Sequence, residues 1–148
     1  MLRETAFETD SRLVYELFIR TTPEKLWKAL TDPAETRLYD HGLAIDGEIR
    51  AGAPIRFLDP KGTPVCGGKV LEAKPGKRFV HTFAFAFTKD APSRVTFEIR
   101  KAGKLVKLTV IHDRFGGETR TWKLVKDGWV ETLSGLKTLL ETGKPLVA

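Results

Sequence analysis

The sequence predicts an α+β fold in which a curved antiparallel sheet of six to seven strands wraps around a long C-terminal helix, with two short helices after strand 1. Three observations carry this expectation. A β-rich run near the start is followed at once by helix-start chemistry, and the middle of the chain alternates strand-like runs with Gly and Pro turns. Near the end, Trp122, Val125, Trp129, Leu133, Leu136 and Leu140 recur at spacings of three and four, the stripe of one helix face. At 148 residues the chain has the length of one domain, expected over residues 1–148.

The first strand is expected over Arg12 to Arg20, where Leu-Val-Tyr-Glu-Leu-Phe-Ile is β-branched, aromatic and bracketed by charge. Thr22-Pro23-Glu24 then supplies a capping hydroxyl, a proline suited to the first helical turn, and an acid against the positive helix end. Asp32-Pro33 ends that helix, because a residue before proline is pushed out of the α region, and Asp32 with Glu35 can cap a second short one. Further strands are expected at 43–49, 54–58, 65–73, 79–87, 94–101 and 105–112.

Successive strand side chains point to opposite faces, so Phe79, His81, Phe83, Phe85 and Phe87 share one side, as do Val95, Phe97 and Ile99, and Val106, Leu108, Val110 and His112. One face is thus aromatic and the other is expected to meet water. The aromatic face needs a cover, and the terminal helix, expected from about 119 to 141 and stopped by Gly143 and Pro145, is the segment long enough to give it. Gly128 is expected to weaken the middle of that helix slightly and to allow close packing or a bend.

Composition restricts the function. The chain is 41% hydrophobic and 30% charged, with nine Phe and three Trp, as packed globular proteins are. No apolar run approaches the roughly 20 residues of a membrane span, and the polar start over residues 1–5 lacks a secretory stretch, so a cytoplasmic location is expected. Cys66, the single cysteine, cannot form an internal disulfide and suggests no zinc site. The formal charge of +6 is spread along the chain with acids between the bases, a solvated surface with no specific nucleic-acid partner expected.

Ile19 to Pro33, Gly67 to Phe79, Ser93 to Phe97, Leu108 to Phe115 and Gly128 to Lys137 together make the chain similar to a known family over nearly its whole length. It resembles the activator of heat-shock protein 90 ATPase homologues, within the START-like (SRPBCC) helix-grip superfamily. The resemblance implies the helix-grip fold, and a superfamily habit of holding lipids, polyketides or other apolar molecules between sheet and helix.

The candidate ligand-binding residues follow. Trp122 and Trp129 on the helix, with Phe57, Phe79, Phe83, Phe85 and Phe97 on the strands, serve either as ordinary core or as cavity wall. Tyr39, His81 and His112 are the candidate polar contacts. Each histidine is either a polar anchor in an apolar pocket or a hydrogen-bonded core residue. His41, beside Tyr39, Asp40 and Gly42, is expected in a loop near the cavity mouth. No catalytic pair, nucleotide loop, metal set or cofactor motif is visible. The leading expectation is a binding module for an apolar or aromatic, lipid-like small molecule. A protein-interaction or co-chaperone-like module, including a homodimer paired through exposed sheet edges, and a polyketide-cyclase-like enzyme are the alternatives.

Overall fold

The computed structural model describes residues 11–147, so the polar start over residues 1–5 lies outside the described residues. Seven antiparallel strands form one sheet in the order β1-β7-β6-β5-β4-β3-β2. They are β1 (Leu13–Ile19), β2 (Ala44–Asp46), β3 (Pro54–Leu58), β4 (Pro64–Lys74), β5 (Arg78–Phe85), β6 (Ser93–Ala102) and β7 (Leu105–Asp113). Two short helices, α1 (Pro23–Thr31) and α2 (Pro33–Tyr39), follow β1, and α3 (Arg120–Thr142) closes the chain. The α+β helix-grip expectation holds.

The caps explain why the helices sit where they do. Thr22 Oγ1 accepts the Lys25 N–H at 3.2 Å, with Pro23 as the first helical residue. Asp32 serves twice, closing α1 through its own N–H on the Lys28 carbonyl and opening α2 by accepting the Ala34 N–H at 2.8 Å. Gly143, at φ 78°, takes the left-handed conformation that stops α3, and its N–H bonds the Leu139 carbonyl.

β2 is shorter than the sequence pattern suggests. Gly47, at φ 132°, turns the chain where a Cβ would meet the Pro54 carbonyl at 2.5 Å, so Glu48 and Ile49 leave the ladder. β5 likewise ends at Phe85. Phe87 lies beyond the strand and is half exposed, although its ring still stacks on Phe85 with centroids 4.7 Å apart. The outer face is also drier than alternation implies, because Val80 and Thr96 are buried there. Around them, Arg78 bridges Glu72 and Glu98, and Arg94 forks onto Asp113 at 2.9 and 2.7 Å; the stems of such side chains cover apolar neighbours.

The inner face is the core. Val95, Phe97 and Ile99 of β6, Val106, Leu108 and Val110 of β7, and Ile19, Leu26, Leu133 and Leu136 form one buried cluster. β4 creases at Gly67 and Gly68. A Cβ on Gly67 would meet the Ile55 carbonyl at 2.5 Å, and one on Gly68 the Thr82 carbonyl at 2.0 Å, so backbone from β3 and β5 closes on both sides.

Gly68→Ala should therefore force β4 away from β5. We expect a loss of about 2 kcal/mol, a drop of about 6 °C in the thermal midpoint by calorimetry. Gly52→Ala, where no heavy atom lies within 4 Å of the added Cβ, serves as the control for ordinary glycine strain, with the smaller loss expected.

Candidate functional site

Between α3 and the inner face lies a cavity of about 700 Å³. Its walls come from β3, β4, β5, β6 and β7 on one side, from Thr36 to Leu43 at a second, and from one face of α3 at the third. Ten of the eleven candidate residues line it: Tyr39, His41, Phe57, Phe79, His81, Phe83, Phe85, Phe97, His112 and Trp129. Trp122 does not. At about 100° per residue it stands about 40° round the helix from Leu136, at the margin of a stripe whose buried centre runs through Thr121, Val125 and Thr132. Its ring is half-buried and carries the Lys126 ammonium at 4.9 Å.

Gly128 removes side-chain bulk from the middle of α3, where His41 Nε2 lies 3.4 Å from its carbonyl oxygen. The close helix packing that the sequence suggested for Gly128 occurs at Gly135, where an added Cβ would sit 3.2 Å from Tyr39 Cβ.

The polar atoms of the wall can be followed one by one. Tyr39 donates its hydroxyl to the Ala29 carbonyl at 2.7 Å, and burial raises its pKa well above the ordinary phenol value, with Asp40 and Glu35 adding to the effect. Trp129 Nε1–H donates to His112 Nδ1 at 3.0 Å, which makes that nitrogen the lone-pair side of the ring. His112 Nε2–H then donates to Ser93 Oγ at 2.7 Å, and the Ser93 hydroxyl donates to the Phe83 carbonyl at 3.1 Å. Every donor in this relay has one acceptor, so His112 is neutral and fully used. Burial lowers its pKa to about 3, His81 contributing further.

His81 differs. Its Nδ1 lies 2.8 Å from the Thr82 carbonyl, an atom that only accepts, so Nδ1 carries the proton and Nε2 the lone pair. Burial lowers its pKa to about 4, against the smaller opposing pull of that hydrogen bond. The ring is 3% exposed and flanked by Phe79, Phe57 and Phe97 at centroid distances of 5.2, 5.9 and 6.3 Å.

Asp40 and Cys66 line the cavity without having been sequence candidates, and Ser93 acts on the wall through His112. Ser93 shares the inward side of β6 with Val95 and Phe97, so its face was legible, but its bond to His112 was not. Asp40 also lines the cavity; burial raises its pKa to about 6, while His41 and the Thr132 hydroxyl at 3.4 Å pull it partly back. Cys66 is buried and its thiol is pushed up by desolvation and by Asp40, which disfavours the nucleophilic thiolate. Among the described residues no three His, Cys, Asp or Glu side chains gather as a metal set, and no helix is long and apolar enough to cross a membrane.

The pH dependence follows from the histidines. Both fold with depressed pKa values, so below about 6.5 the unfolded chain binds more protons and stability falls as pH falls toward 4. Asp40, with a raised value, works the other way between about pH 4 and 6. At about 1.4 kcal/mol per unit, the net loss from pH 7 to 4.5 is about 3 kcal/mol. We expect His112→Gln to be less stable at pH 7 but flatter, losing about 1 kcal/mol or less over that range in urea titrations.

Comparison with known proteins agrees with this architecture. Residues 20–141 match the family model described as Activator of Hsp90 ATPase homolog 1-like protein. No curated protein matches the chain. Among solved structures, the Aha1 dimer from Colwellia psychrerythraea is 21% identical, with 90% of this chain and 98% of that one covered and a TM-score of 0.75. An HSP90 activator from Plasmodium falciparum is 19% identical, covering 87% and 95%, with a TM-score of 0.73. CalU16 from Micromonospora echinospora is 19% identical, covering 92% and 77%, also at 0.73. At these identities the likeness is one of fold.

Proposed function

The chain belongs to the Activator of Hsp90 ATPase homolog 1-like family, and from that premise we propose that it is a cytosolic binding module for an apolar or aromatic small molecule. The observation that carries the reading is the cavity itself. A space of about 700 Å³ lies within the roughly 300–1,000 Å³ range of small-molecule sites. Its wall is mainly Phe, Leu, Val and Trp, with few polar atoms. A close-packed interior holds few voids larger than a water molecule, so a hollow of this size is a feature of the fold and not a packing defect.

A ligand there would displace water from aromatic surface, at roughly 25 cal/mol for each Å² of apolar area buried. His112 has both ring nitrogens engaged and Cys66 is held as a thiol, so binding without turnover is the reading these residues favour.

A second reading draws on a different surface. Val14 and Phe18, on the outer side of edge strand β1, are 47% and 52% exposed. Such an edge could take a partner strand, and both the dimer from Colwellia and the activator from Plasmodium are neighbours in fold. The two readings separate experimentally because they use opposite faces of the sheet.

Nile red, a neutral apolar dye, should bind with one-to-one stoichiometry and shift the emission of Trp129. The amides perturbed in a heteronuclear NMR titration should be those of β5, β6 and the middle of α3. Perturbation confined to Val14, Phe18 and their neighbours, or no binding at millimolar protein, would overturn the cavity reading and favour the edge.

A further inference from the structure

We infer that the cavity selects neutral or cationic aromatic molecules bearing a hydrogen-bond donor, which is received by His81 Nε2, and rejects carboxylates; this rests on the cavity reading above.

His81 Nε2 is an unused acceptor in the aromatic part of the wall, apart from the acidic side chains such as Asp40 that also line the cavity. His81 Nδ1–H is fixed on the Thr82 carbonyl, and Nε2 has no partner among the described residues. The fully sealed side-chain polar atoms without partners, among the described residues, are Thr21 Oγ1 and Trp122 Nε1. His81 Nε2 is therefore not sealed. Its ring is 97% buried by area, so the open space it touches is the cavity it lines. A lone pair in an apolar hollow is an acceptor awaiting a donor, and leaving it without one is unfavourable.

The neighbours narrow the donor's scaffold. Phe79, Phe57 and Phe97 surround the imidazole with centroids 5.2 to 6.3 Å away, a setting that takes a flat ring at offset or edge-on geometry. The other polar groups first proposed for this task are occupied, Tyr39 donating to Ala29 and His112 engaged with Trp129 and Ser93.

Charge excludes the remaining class. The cavity lining includes the carboxylates Asp40, Asp59, Asp127 and Glu131 against the single ammonium of Lys123, an excess of acid in a chain of net charge +6. None of the four joins an ion pair among the described residues, whereas Arg120, over Phe87 at the rim, has Asp90 beside it. A fatty acid or aromatic carboxylate would meet like charge at the mouth and a second lone pair at His81. A phenol or an aryl-methylammonium meets neither obstacle.

Three fluorescent probes of one shape test this at pH 7: 1-hydroxypyrene, 1-methoxypyrene and 1-pyrenecarboxylate. The full chain should bind the phenol about tenfold more tightly than the ether, with the carboxylate weakest, and His81→Phe should bring phenol and ether to parity. Asp40→Asn should strengthen the carboxylate relative to the other two. Should His81→Phe not fold, the imidazole ¹⁵N spectrum of the unaltered protein still decides, since the phenol must shift Nε2 and the ether must not. Equal affinity for phenol and ether overturns the inference while leaving the cavity reading standing, as does preference for the carboxylate. Failure of all three probes to bind overturns both.

Discussion

The cavity lies beneath α3, which is fastened at both ends and pinned near its middle by the Trp129–His112 hydrogen bond at 3.0 Å and by the Tyr15 hydroxyl on the Lys126 carbonyl at 2.9 Å. Near its start, Thr121 donates both its N–H and its hydroxyl to Asp90 in the β5–β6 loop, at 2.9 and 2.7 Å. Near its end, Lys137 Nζ donates to the Phe18 carbonyl and Glu141 accepts the Arg20 N–H, both on or beside β1. Gly135 lets the helix backbone settle on Tyr39 of α2, and Leu133, Leu136 and Leu139 bury the same half. In the sheet beneath, the β3–β4 and β4–β5 ladders shift register at Phe57/Leu58 and at Val70/Glu72, which bends β3 and β4. A helix laid over a curved sheet cannot match it along its whole length, and space remains beside the contacts it does make.

Within that space the polar groups divide by whether the fold has already satisfied them. The path from Trp129 through His112 and Ser93 to the Phe83 carbonyl crosses from α3 to β7, β6 and β5, and it orients every donor in one direction. Such a network in low dielectric is strong when complete and costly when broken. It fixes the indole of Trp129 against the sheet, with its ring 5.9 Å from Phe97, and so defines the floor on which a ligand would rest. His112 is a structural element of the cavity and His81 an available one, although the sequence presents them alike.

The elements of the fold were legible because each rests on a local rule. Asp32-Pro33 announces a helix break, Gly143 a helix stop, and the alternation of Phe79, His81 and Phe83 a strand with one aromatic side. The misreadings arose where local rules meet tertiary ones. Phe87 continues the alternation of β5 but not its ladder, and Trp122 continues the spacing of the α3 stripe but drifts to its margin, because 3.6 residues per turn does not divide evenly into steps of three and four. Asp40 was visible only as a neighbour of His41 in a loop near the cavity mouth. It follows α2 in a loop, where no periodicity assigns a face, and only the proximity of Thr132 and Cys66 in space marks it as part of the wall.

What the sequence could not give is the hollow and its free atom, since both are differences between things that are individually visible. Volume is what remains when a helix and a sheet of known side chains do not fully meet, and an available lone pair is what remains when all other hydrogen bonds are counted. His81 illustrates the second kind of remainder. Its position on the inward face follows from alternation, its tautomer from the Thr82 carbonyl, and its availability only from the fact that no described residue reaches Nε2. Specificity at such a site depends on subtraction. Because the fold engages Tyr39, His112 and Trp129 with one another, with Ser93 or with backbone, the His81 Nε2 lone pair is what the aromatic part of the wall leaves open.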